Sequence, residues 1–276
     1  VVTENRSRIS PLAWRLENVF PFPAVSFSTF PWDFILILIV LGVLVPWRGA
    51  VRIKRLLAQD ALTTSQRLSL YASTIAFQWL LVAVIFWRSF SRHLSPNELG
   101  LVVSGVWQTG SVALVVTALL CVNQWAGVRK IARLPPDQRG FLFQFTQKIM
   151  PQTTAEAFAF VALACTAGLS EEFVYRGFVF AVFSRAFAGS AFASFFAVLV
   201  SSAWFAMAHL YQGRHGVLTT FVVGILFCAV RIWTGNIVPA IVGHIGVDLV
   251  AGLYAPRVLR TRPDLRVPVA PVDRER

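Results

Sequence analysis

Nearly all the reactive chemistry in one stretch of this chain is held by three short constellations. Between Ala157 and Pro256 there are 100 residues and three carboxylates, Glu171, Glu172 and Asp248. Each lies in or beside an apolar run, and so do His209 and His244. An ionisable group at membrane depth costs about 2.5 kcal/mol or more, so such groups persist where they pair or line a wet cavity. In Glu171-Glu172-Phe173-Val174-Tyr175-Arg176-Gly177, Glu172 and Arg176 stand i,i+4 on a helix, in the favourable order for a salt bridge. Glu171 lies about 100° round the helix with no cationic partner, the desolvated setting of a general base. An intramembrane ion-pair cluster with no catalytic role has the same composition. In Phe205-Ala206-Met207-Ala208-His209, Phe205 and His209 share a face; a lone His at a helix end is ordinarily structural or interfacial. His244 and Asp248 form an i,i+4 pair, with Gly243 and Gly246 allowing close helix approach. That spacing suits metal ligation, a hydrogen-bonded catalytic pair, or a His simply satisfied by its neighbour.

The elements that carry these residues are membrane helices. Of the 276 residues, 56% are hydrophobic and only 14% charged, and mean hydropathy is +0.65. A soluble globule of that composition would lack the polar residues to cover its core. Runs near the length of a membrane-spanning helix recur. They are Phe34 to Val45, framed by Trp32 and Trp47, then Leu68 to Trp87, Leu101 to Val122, Ala155 to Phe187, Ser190 to His209, Val217 to Trp233 and Ile237 to Tyr254. Strict alternation is scarce, so strands are not expected. The fold class is all-α: a polytopic membrane helical bundle of about 7–8 transmembrane helices. An irregular or interfacial segment is expected over residues 1–31, N-terminal membrane helices over 32–150, a catalytic membrane domain over 151–256 and a basic, disordered tail over 257–276. The three cysteines, Cys121, Cys165 and Cys228, show no metal spacing and read as small core hydrophobes.

The net charge of +12 has an address. Residues 48–67 hold five basic residues against Asp60, residues 123–154 five against Asp137, and the tail from Arg257 six against three acids. By the positive-inside rule these three regions are cytoplasmic. That requires seven crossings with the N-terminus outside, and Ala155–Phe187 crossing once as a kinked or partly re-entrant segment. Attraction to anionic lipid explains the basic runs better than nucleic-acid binding does. No cleaved signal peptide is expected.

The ordered set EExxxR, FxxxH and HxxxD resembles the CPBP family, which comprises the type II CAAX prenyl proteases and the bacterial Abi proteins. The likeness covers roughly residues 155–254, with EEFVYRG at 171–177 its most specific stretch. It implies an intramembrane endopeptidase acting on a membrane-associated protein or peptide, a CAAX-type prenylated one among the options, in the bilayer of a bacterial plasma membrane. By the same resemblance Glu171 activates water assisted by His209, His244 and Asp248 bind the oxyanion or complete the water site, and Glu172 and Arg176 orient the motif helix. The third motif often ends in Asn, whose amide can donate to an oxyanion; an ionised Asp248 cannot. A zinc reading would take His209, His244 and Asp248 as ligands. The absence of HExxH and the spread of these residues over separate helices favour a glutamate mechanism without a cofactor. A non-enzymatic immunity or scaffold protein of the Abi type is the alternative function.

Overall fold

The computed structural model describes residues 30–135 and 138–259. Most of the expected irregular N-terminal segment and nearly all of the tail fall outside that range. Among the described residues there are eight helices and no strands. They are α1 (Trp32–Leu57), α2 (Thr64–Ser91), α3 (Val106–Ala132), α4 (Gly140–Lys148), α5 (Thr154–Ala186), α6 (Ala193–Ala208), α7 (Leu210–Thr234) and α8 (Val238–Leu259). Six of them are long and apolar enough to cross a bilayer; α6, with 16 residues, is shorter. The run Ala155–Phe187 proves to be one continuous helix over Thr154–Ala186, long and apolar enough for a single crossing, and does not fold back on itself. Leu101 to Gly105, read as part of the third apolar run, is not helical. Gly100 there has a φ of +67°, and its carbonyl accepts from Ile237 N at 3.0 Å, which ties the loop to the start of α8.

Local sequence explains where the helices begin and where they widen. Thr63 with Gln66, and Thr153 with Glu156, form capping boxes at the starts of α2 and α5. Glu156 also meets Arg67 at 3.0 Å, and both are buried. Arg67, counted by sequence among the orienting loop charges, is therefore neutralised inside the protein. Three of these helices contain a π-helical stretch: Val40–Leu44, Phe173–Val179 and Val250–Tyr254. The first and last end two residues before Pro46 and Pro256. A proline in mid-helix lacks an N–H and crowds the carbonyl four residues back, and the wider π turn relieves both. At Gly42, within the first stretch, a Cβ would lie 2.8 Å from Trp204 Nε1. The indole donates to Leu38 O at 3.1 Å, locking α6 to α1. The middle stretch holds no proline.

Contacts between helix ends give the topology. Asp33 at the start of α1 pairs with Arg88 and Arg92 at the end of α2. Asn236 before α8 donates to Thr109 at the start of α3, and Gln108 donates to Trp233 O at the end of α7. At the opposite end Lys148 of α4 donates to Leu57 O, and Arg129 of α3 to Tyr254 of α8. Including the shorter α6, seven helices run alternately up and down the bundle. Both basic connections and the approach to the tail thus gather at one end, and residue 30 lies at the other.

Candidate active site

The brevity of α6 sets the depth of the site. Its 16 residues span about 24 Å, close to the roughly 22 Å that separates Glu171 from the end of α5 at Ala186. Running antiparallel to that part of α5, α6 ends level with Glu171 and delivers His209 there. The side chains of Glu171, His209 and Asp248 are 22%, 15% and 33% exposed, whereas those of Glu172 and Arg176 are fully buried. The constellation therefore has an accessible front and a buried back.

At the front, Glu171 Oε2 lies 4.0 Å from His209 Nε2. This is too long for a direct hydrogen bond and short enough for one water to bridge. His209 Nδ1 is 2.9 Å from the Phe205 carbonyl and must donate to it, which leaves Nε2 as the nitrogen presented to Glu171. Glu171 Oε1 accepts from Gln78 Nε2 of α2 at 2.8 Å. Gln78 is a member of the site that sequence reasoning misses. A signal was available: it is a lone amide in the apolar run Ile75 to Ile85.

The back is organised around one oxygen. Glu172 Oε1 accepts from Arg176 Nη1 at 2.9 Å and from His244 Nδ1 at 2.7 Å. The spacing rule for Glu172 and Arg176 holds even though Arg176 lies in a π stretch. For His244 the structure adds a second carboxylate: Asp248 stands 3.8 Å from Nε2, as the i,i+4 spacing expects, and Glu172 lies closer, on Nδ1. Glu172 thus orients a side chain of α8 as well as Arg176 in its own helix. The Arg176 guanidinium carbon sits 4.1 Å from the Phe205 ring centroid and 5.2 Å from that of Phe227. The Phe205 ring also touches both imidazoles, with centroids 4.8 Å from His209 and 5.9 Å from His244.

The proline-free π stretch, Phe173–Val179, begins directly after the two glutamates and is buried throughout. Its altered ladder leaves carbonyls needing partners, and Ser201 of α6 donates to Tyr175 O at 2.7 Å. Gly177 lets the loop after α2 close on this segment: a Cβ there would be 3.2 Å from Leu99 O. Toward the basic end, Tyr211 contacts the His209 ring and the Phe141 and Phe145 rings of α4, so α4 roofs that side. Between α6 and α7 an apolar cavity of about 630 Å³ runs past Ala206, Met207, Leu210, Val217 and Phe221, with Arg214 in its lining.

In one respect the donor set suits a metal: both histidines commit Nδ1 elsewhere and keep Nε2 free, as zinc ligands do. Among the described residues, however, no three His, Cys, Asp or Glu side chains come together as a ligand set. The residues as arranged do not fit zinc bound by His209, His244 and Asp248. The cysteines are free; Cys228 is buried, and Cys121 and Cys165 are half-buried.

Residues 153–250 match the family of type II CAAX prenyl endopeptidases described as Rce1-like. No curated protein and no solved structure matches the chain.

Proposed function

From the Rce1-like endopeptidase domain of residues 153–250, consistent with the CPBP family in an integral membrane protein, we propose that this chain hydrolyses a peptide bond of a membrane-associated protein within the bilayer. One observation carries the reading: Glu171 Oε2, buried and without a hydrogen-bond partner, stands 4.0 Å from Nε2 of an oriented imidazole, His209, close enough for one water to bridge the two from the side. Glu171 takes a proton from that water as the oxygen attacks the scissile carbonyl, and passes it to the departing amine. His209 Nε2 holds the water in line, with the ring fixed by its bond to Phe205 O. His244, fixed through Nδ1 by Glu172, presents Nε2; in its imidazolium form it donates from there to the oxyanion. Asp248 closes the far side of that nitrogen and completes the water site. Arg176 and Glu172 are positioning residues behind the reacting groups. Gln78 is another, leaving Glu171 Oε2 free for the water by engaging Oε1.

As proposed, the mechanism routes no step through a metal and rests on Glu171 as the base. The apolar cavity between α6 and α7, lined by Met207 and Leu210 on either side of His209 in the sequence, is compatible with a substrate that carries an apolar chain, a prenylated one included. By the positive-inside rule the basic end and the tail face the cytoplasm, which suits a bacterial plasma membrane. The roof of α4 then lies on the cytoplasmic side.

Comparison of the membrane proteomes of wild type and Glu171→Gln tests the reading. One or more membrane proteins should accumulate uncleaved in the variant, while the variant itself inserts and folds as wild type. A purified Glu171→Gln protein that retains full cleavage would overturn it. Full biological complementation by a His209→Ala/His244→Ala protein would instead favour the non-enzymatic scaffold.

A further inference from the structure

At the end of the bundle opposite the basic loops, Arg231 is a buried cation with no counter-ion among the described residues. It lies near the end of α7, only 8% exposed. Its Nη2 donates to the backbone carbonyl of Glu98, its Nε is buried without a hydrogen bond, and its guanidinium carbon stacks 4.0 Å from the Phe180 ring centroid. The nearby Glu98 carboxylate is already committed: Arg185 grips it through Nε and Nη2, the latter at 2.7 Å, and holds its carboxyl down at about 2. Arg185 spends further donor capacity on the backbone carbonyls of Arg92 and His93. The trio of Arg231, Arg185 and Glu98 therefore carries one uncompensated positive charge. A ring face and one carbonyl offset the burial of a guanidinium only in part.

The surroundings give the missing anion a place. Arg231, Asn97, Ser184, Arg185 and the Arg185-bound Glu98 line a cavity of about 410 Å³ between α5, α7 and the loop after α2. Asn97 and Ser184 can each donate to an oxygen anion. The cavity extends to Ile232, itself exposed, and neighbouring Trp233 and Trp107 are 68% and 91% exposed. Exposed tryptophans of this kind mark the headgroup level of a membrane. We propose that Arg231 binds a phosphate group there, supplied by a phospholipid headgroup, with Asn97 and Ser184 as further donors. The lipid clamps the loop after α2 against the ends of α5 and α7. The site is remote from Glu171 and does not rest on the protease reading.

Native mass spectrometry of the purified full chain tests this, with phosphatidylglycerol, with a diacylglycerol of the same acyl chains, and with inorganic phosphate. Phosphatidylglycerol should be retained and diacylglycerol lost. Arg231→Gln should weaken retention about tenfold or more, the weight of one charge-assisted hydrogen bond. Ser184→Phe fills the cavity with Arg231 in place and should weaken it similarly, so the assignment does not hang on one variant's folding. Equal retention of diacylglycerol, or retention unchanged in both variants, overturns the site. Binding of inorganic phosphate that Arg231→Gln abolishes, with no preference between the two lipids, would show a free-phosphate site and overturn the lipid assignment.

Discussion

Arg176→Met removes the buried cation behind the site while keeping the length of its apolar stem. In the native protein the Arg176 and Glu172 side chains are fully buried, joined at 2.9 Å, and the guanidinium lies between the Phe205 and Phe227 rings. Without Arg176, Glu172 keeps only His244, at 2.7 Å, for a carboxylate entirely out of water. Removing one partner of a buried pair costs about 3–5 kcal/mol, because the other charge is left uncompensated. Glu172→Gln should cost a similar amount by stranding Arg176. The double variant strands no charge and exchanges a buried pair for uncharged groups of similar volume, so it should be more stable than either single variant. Denaturant unfolding in micelles, followed through the nine tryptophans, measures all four proteins. A loss below about 1 kcal/mol for Arg176→Met, or a double variant as unstable as the sum of the singles, would refute the claim that the back of the site is one electrostatic unit. The double variant should also fold yet turn over poorly, since a neutral amide in place of the Glu172 carboxylate cannot hold His244 in the same way.

Gln78→Leu should lower kcat about ten- to hundredfold with KM nearly unchanged, because it deletes one hydrogen bond to the charged base; this is read on a substrate identified by the proteome comparison. Equal kcat for Gln78→Leu and wild type would leave Gln78 with no positioning role. Activity should survive chelation that leaves no metal detectable in the sample; loss of activity with recovery on added zinc would replace the metal-free mechanism. The Glu98 carboxyl is lowered from 4.5 to about 2 by its bond to Arg185, so its contribution to stability is fully present above pH 4.5 and fades as pH falls toward 2. Unfolding midpoints of wild type and Glu98→Gln should therefore converge as pH drops through that range.

The helices and their order were legible because the apolar runs are long and the breaks between them polar. The intramembrane carboxylates and histidines stood out for the same reason: little else in the last hundred residues of the bundle is charged. What the sequence concealed were partners on distant helices. The i,i+4 rule joins Glu172 to Arg176 and His244 to Asp248, but it has no means of pairing Glu172 with His244, 72 residues apart. Gln78 stands out as a lone amide in an apolar run, but nothing local ties it to Glu171, 93 residues away. The π stretches could be anticipated only where a proline comes next, at Pro46 and Pro256. At Phe173–Val179 the cause is tertiary: Ser201 and the loop at Leu99 hold a backbone that the local sequence would wind as an ordinary helix.

That middle stretch links fold to chemistry. A π turn adds a residue per turn, so it rotates the residues beyond it relative to an unbroken helix. Here it begins directly after Glu171 and Glu172, and it ends before Phe180, the ring on which Arg231 stacks. One distortion thus fixes Arg176 behind the site and sets the register of the far end of α5. The short α6 is the second determinant, because only a helix that stops at mid-depth can bring His209 level with a glutamate halfway along α5. Lengthening α6 by a turn while leaving the motif residues intact would carry His209 about 5 Å past Glu171. The residues most easily recognised in the sequence are therefore positioned by two features, a widened turn and an early helix end, that carry no motif of their own.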